Sequence, residues 1–144
     1  DIQLTLCQKI PVSGAVIVTT PQDIALLDAK KALKMFEKVN VPVLGIIENM
    51  STYICSKCGN EEHIFGSGGG DQMSKQYDID LLGSLPLDIR IRKGVDNGKP
   101  TVAIEPDSEI AMNYRDIARR TAAKLAIQSK DYTNKFPKII IENN

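Results

Sequence analysis

With 144 residues, 42% of them hydrophobic, the chain can form one domain with a real core. Eighteen Lys and Arg balance eighteen Asp and Glu, which gives no electrostatic case for nucleic acid or an anionic membrane, and no apolar run approaches the roughly 18 residues that would cross a bilayer. Three cysteines, an odd count with two in one CxxC, fit a reducing, cytoplasmic compartment better than a disulfide scaffold.

The chain opens on Asp1 without a Met and ends in Glu142-Asn143-Asn144, so we expect a piece of a longer protein. Residues 2–10 mix apolar and polar positions as a helix does, with Cys7 between Leu6 and Ile10 read as a small buried hydrophobe. Gly14 to Thr20 is a β-branched, nearly unbroken apolar run, the pattern of a strand buried on both faces of a parallel sheet. Thr20-Pro21 predicts a helix start, with a capping hydroxyl and a proline at the first position. Ala25, Ala29, Ala32, Leu33 and Phe36 then hold a 3.6 period to about Lys38, and Asn40 closes the helix. Val43 to Ile47 is a second buried strand, ending at Glu48-Asn49-Met50. Strand, helix and strand within so short a span predict a βαβ unit, whose ligands bind beyond the carboxyl ends of the strands.

At that edge lies Cys55-Ser56-Lys57-Cys58, followed by Gly59. Two thiols three residues apart can turn their sulfurs to one ion, and glycine suits the tight turn of a metal knuckle. The spacing points to soft-metal or redox chemistry, yet it supplies half of the four thiolates that a closed zinc or iron–sulfur site needs. His63, the single histidine, reads most simply as a loop residue beside Glu61 and Glu62, with a ligand role as the lesser reading. The glycines at 66 and 68–70 read as a hinge rather than a phosphate cradle, since no GxxxxGK[ST] occurs anywhere.

Asp71 to Gln76 predicts a short helix and Leu81 to Leu85 a third strand, stopped by Pro86-Leu87-Asp88. Ile89 to Arg92 continues as a short helix or turn, and Pro100 to Ile104 reads as a further strand. Asp107 or Ser108 caps a long helix to about Gln128, with Arg115, Arg119, Arg120 and Lys124 on its solvated side. Two parts follow: residues 1–128, carrying the metal loop at 49–70, and a polar tail, 129–144, apolar only at Ile139-Ile140-Ile141.

Taken together, Asp1 to Leu6, Thr19-Thr20-Pro21-Gln22, Asn49-Met50-Ser51, the CxxC, Ile64 to Gly70 and Gly83 to Asp88 with Ile89-Arg90 resemble the Mrp/ApbC-type iron–sulfur cluster carriers, a branch of the deviant-Walker P-loop ATPases. The resemblance runs from Asp1 to about Leu125. It implies an α/β fold, a parallel sheet flanked by helices, forming the C-terminal part of a P-loop NTPase. Asp1 matches only the last residue of the family's switch segment, and the phosphate-binding half is missing, so the resemblance implies an ATP-dependent parent and names no catalytic residue here. It implies that Asn49 reads the adenine edge and that Pro86, Leu87 and Asp88 cover the base. It implies a homodimer in which Cys55 and Cys58 of both copies hold a [4Fe–4S] cluster, with apo iron–sulfur proteins as recipients. Two other readings of the pair stay open: a zinc staple, completed by His63 or Cys7, and a thiol oxidoreductase, which would need the pair at a helix start.

Overall fold

The structure is a computed structural model and describes residues 2–128. The tail from Lys130, with Ile139–Ile141, lies outside the described residues.

The elements run α1 (Ile2–Lys9), β1 (Ala15–Thr19), α2 (Asp23–Lys38), β2 (Val43–Ile54), β3 (Glu61–Glu62), α3 (Gly69–Tyr77), β4 (Leu81–Leu87), α4 (Ile89–Asp96), α5 (Thr101–Ile104) and α6 (Glu109–Ile127). β2 is central. It pairs in parallel with β1 on one side and β4 on the other, and its far end pairs antiparallel with β3.

The apolar runs form strands as predicted, with successive residues pointing to opposite faces of the sheet, but β1 is not buried on both faces, since Val18 is 61% exposed. Ile17 and Ile46 enter one core with Leu26, Ala29 and Leu33 of α2 and Met73 of α3. Their chain neighbours Val16 and Ile47 turn the other way, toward Leu82, Leu85 and Ile117 of α6. Helices therefore cover both faces, as expected for a doubly wound sheet.

Several local expectations are corrected. Helix α2 starts two residues later than Thr20-Pro21 suggested: Gln22 is its N-cap, and the Thr20 hydroxyl bonds the Gln22 side chain at 2.8 Å instead of capping. Asn40 does end the turn, in a left-handed conformation with φ 54°. Pro100 to Ile104 is not a strand. Pro100 caps a single helical turn, its carbonyl accepting from Ala103 at 2.9 Å and Ile104 at 3.2 Å. Ile89 opens a helix that continues to Asp96. Cys7 is half-buried, on a helix with no buried residue, so it is not a core hydrophobe. Arg120 and Lys124 are more than solvated charges: Arg120 donates to the Leu82 carbonyl at 3.3 Å and Lys124 pairs with Asp80. Ser108 caps α6 as expected, accepting from Ala111 N–H at 3.2 Å.

The glycine stretch is also not a hinge at its end. Gly69 and Gly70 are buried in the first turn of α3. A Cβ on Gly69 would stand 2.9 Å from the Pro21 carbonyl oxygen, and one on Gly70 would stand 3.0 Å from the Glu48 carboxylate. Close packing of α3 against the sheet demands glycine there.

Candidate metal centre

The parallel pairing of β2 with β4 is interrupted by a bulge. Asn49 pairs with Leu85, but the next pair is Tyr53 with Leu87, so β2 spends four steps where β4 spends two. Two features produce this. Pro86 has no N–H to give to the ladder, and Met50 takes a left-handed conformation with φ 56°. The Asn49 carboxamide oxygen accepts from the Met50 N–H at 3.0 Å, and the Ser51 hydroxyl donates to the Leu85 carbonyl at 3.1 Å. Past the bulge, β2 runs on to Ile54 instead of ending at Met50, and folds back through β3 as a short hairpin.

Cys55 and Cys58 sit in the turn of that hairpin. The Cys55 N–H donates to the Asn60 carbonyl at 2.9 Å, and the Gly59 N–H donates to the Cys55 carbonyl at 2.8 Å. Gly59 has φ 72°, the conformation expected of it. Cys58 is exposed and Cys55 half-buried. The turn's backbone N–H groups at Lys57 and then Cys58, with the Cys58 side chain, hold the Cys55 thiol below its ordinary range, against the opposing charge of Glu62. No helix starts at the pair, so this lowering comes from turn amides rather than the helix end that the oxidoreductase reading needs. A thiolate is the metal-binding form, so the turn prepares Cys55 for a soft metal.

His63 does not join the pair. Its Nδ1 lies 3.1 Å from the Ser51 carbonyl oxygen, at the base of the hairpin. Among the described residues, no group of three or more His, Cys, Asp or Glu is placed to hold a metal ion. The zinc staple completed by His63 or Cys7 is thus not assembled within one chain.

The residues expected at the nucleotide base stand on adjacent strands. Asn49 lines a cleft of about 760 Å³ along the outer edge of β1, with Thr19, Thr20 and α2 residues such as Ala32 and Phe36. Pro86 lines a separate, polar cleft of about 510 Å³ with Ser51, His63 and Arg90. Asp88 is 5% exposed and caps α4, accepting from the Arg90 N–H at 2.7 Å and from its guanidinium at 2.6 to 3.1 Å. The guanidinium beside it holds the Asp88 carboxyl below the usual carboxylate range.

Sequence reasoning missed Glu48. Its carboxylate is 6% exposed at the carboxyl edge of β2 and accepts from the Gly70 N–H at 2.5 Å, tying α3 to the sheet one residue before Asn49. The signal was present: a charged residue that directly continues a buried apolar strand needs a partner.

The chain is 58% identical over 130 residues to the iron-sulfur cluster carrier protein of Escherichia coli (strain K12), covering 90% of this chain and 35% of that one. It is 46% identical over 143 residues to the iron-sulfur cluster transfer protein NUBPL of Dictyostelium discoideum, covering 98% and 44%. The chain thus spans less than half the length of these curated relatives. Among solved structures it is similar to the cell division ATPase MinD of Pyrococcus furiosus, at TM-score 0.60 and 25% identity over 77% of this chain and 43% of that one. It is also similar to a nucleotide-binding protein from Archaeoglobus fulgidus in complex with ADP, at TM-score 0.52 and 26% identity over 94% and 46%. The ParA profile described as the NUBPL iron-transfer P-loop NTPase matches residues 1–122, and the chain belongs to that family.

Proposed function

We propose that the protein carries an iron–sulfur cluster and hands it to apo iron–sulfur proteins, in a reducing, cytoplasmic compartment. Two copies meet at the hairpin turns, and Cys55 and Cys58 of each supply the four thiolates of a [4Fe–4S] cluster. The observation that carries this reading is the dithiol itself. It is exposed at the tip of a hairpin, with one thiol lowered, and has no third ligand beside it among the described residues. A twofold axis through such a tip completes the ligand set without any further side chain.

The longer protein binds ATP, and Asn49 with Pro86, Leu87 and Asp88 borders its base. Support for this comes from their position: Asn49 pairs with Leu85, next to Pro86 on the adjacent strand, and the bulge that launches the hairpin follows Asn49 along β2, before Tyr53. Loading and nucleotide binding are then exercised on one rung of the sheet.

Anaerobic reconstitution with iron and sulfide tests the proposal. The expected product is a dimer with broad visible absorption and one cluster per two chains, both lost in Cys55→Ala and in Cys58→Ala. A monomer that binds zinc tightly and takes up no cluster would overturn it.

A further inference from the structure

The proposed function leaves His63, the single histidine, without a role. Its place in the hairpin is particular. The departing strand β2 and the returning strand β3 share only the pairs Tyr53 with Glu62 and Ile54 with Glu61, extended at the turn by the Cys55 N–H on the Asn60 carbonyl. The next rung toward the sheet would set Thr52 against His63, and the ladder stops short of it. The imidazole reaches one residue further instead, its Nδ1 standing 3.1 Å from the Ser51 carbonyl oxygen. A carbonyl only accepts, so Nδ1 carries the hydrogen and donates. Ser51 is itself tied to β4, its hydroxyl donating to the Leu85 carbonyl at 3.1 Å. The ring therefore fastens the returning arm to a fixed point of the bulge and closes residues 51–63 into a loop that holds both cysteines. Directly after it the chain turns away toward α3, with the Gly66 N–H donating to the His63 carbonyl at 3.2 Å.

We propose that His63 is a positioning residue for the cysteine pair: its ring clasps the hairpin shut while the pair is empty, so that both thiolates are presented already folded and grip a soft metal ion more tightly. The proposal rests on the reading of Cys55 and Cys58 as metal ligands. Its physical ground is the size of the ribbon. Two rungs hold together only marginally in water, so one further bond decides what fraction of the empty chains is closed. A metal that needs the closed form is bound with an affinity reduced by that fraction. A single side-chain hydrogen bond shifts such an equilibrium about two- to tenfold. His63 thus acts on the strength of the grip and not on the identity of the ligands.

Two measurements on the full, reduced chain test this: amide hydrogen exchange without metal, and cobalt(II) titration read by thiolate-to-metal absorption. His63→Ala raises exchange across segment 53–62 and weakens cobalt binding by about two- to tenfold, while β1 and α2 exchange as before. His63→Asn, whose Nδ2 can donate from nearly the place of Nδ1, restores most of both. The cobalt bands keep their positions in both variants, because no ligand is lost. Unchanged exchange of 53–62 in His63→Ala overturns the clasp. Raised exchange with unchanged cobalt affinity overturns the positioning role and leaves His63 a residue of the fold alone. Bands that move in His63→Ala also overturn it, by making the imidazole a ligand. A native chain without thiolate-to-cobalt absorption overturns the metal reading and the positioning role with it, and the exchange result, obtained without metal, tells that failure from a failure of the clasp.

Discussion

The Ser51 hydroxyl donates to the Leu85 carbonyl oxygen at 3.1 Å, joining two strands across 34 residues of chain. This bond stands where ladder pairing is lost opposite Pro86, and with left-handed Met50 it sets the direction in which the cysteine-bearing hairpin leaves the sheet. A β-branched side chain strongly resists φ 56°, so Met50→Val should destabilise the chain by about 1 to 3 kcal/mol. Met50→Gly, which accepts that φ freely, should stay within about 1 kcal/mol of the native chain. Urea unfolding of both variants checks the ordering, and equal stabilities would show that Met50 bears no strain.

Asp88 gives a pH dependence. Its carboxyl is held below the ordinary range by Arg90, so its stabilisation is fully present above the unfolded value of about 3.9 and is lost as pH falls through the depressed folded value. Asp88→Ala removes a helix cap and should cost about 0.5 to 2 kcal/mol at pH 7. The gap between native and variant should close only below about pH 4. Unfolding free energies from pH 7 down to pH 3 measure this, and a gap that narrows already between pH 7 and 5 would contradict the assignment.

Gly45 faces β4 at close range. A Cβ there would run into the Leu82 side chain and stand 2.8 Å from the Asp80 carbonyl oxygen. That oxygen accepts the Ile46 N–H at 2.9 Å and cannot retreat without losing the bond. Gly45→Ala should therefore destabilise by about 1 to 3 kcal/mol, despite alanine being the better residue for chain entropy. A thermal melt of the variant, showing a lower midpoint, is the check.

Much of this architecture was legible beforehand, and the exceptions share a cause. β1, the start of β2 and β4 announced themselves by nearly unbroken apolar runs, although the outer face of β1 is open at Val18, which is 61% exposed. The far end of β2 did not, because Met50-Ser51-Thr52 breaks the pattern and is held by Leu85 and His63 from outside the segment. The two-residue strand Glu61–Glu62 has no β-forming side chains and exists through pairing alone. Thr101 to Ile104 looked like a strand by residue type, but a proline cap winds it into a single turn. The cysteine pair could be read from spacing because its chemistry is local. Glu48 was passed over because its partner, Gly70, is 22 residues away.

Loading of the cysteine pair should respond to Glu62. Its charge opposes the lowering of the Cys55 thiol. Glu62→Gln removes that opposition, so Cys55 stays ionised to lower pH and metal uptake should persist further into acid. Cobalt(II) titration, followed by thiolate-to-metal absorption at a series of pH values, reads the shift. A midpoint that moves toward alkali in Glu62→Gln would contradict the electrostatic account.

The pair is borne by a ribbon with only two antiparallel residue pairs, Tyr53 with Glu62 and Ile54 with Glu61. Ribbons of that size barely hold together in water. Whatever the thiolates grip must therefore stiffen its own handle, and part of the binding free energy is consumed in doing so. Such a grip stays weaker than the ligand count suggests, and departure of the load returns the ribbon to its looser ensemble. If the proposed function holds and the load is handed on, a soft handle is an advantage.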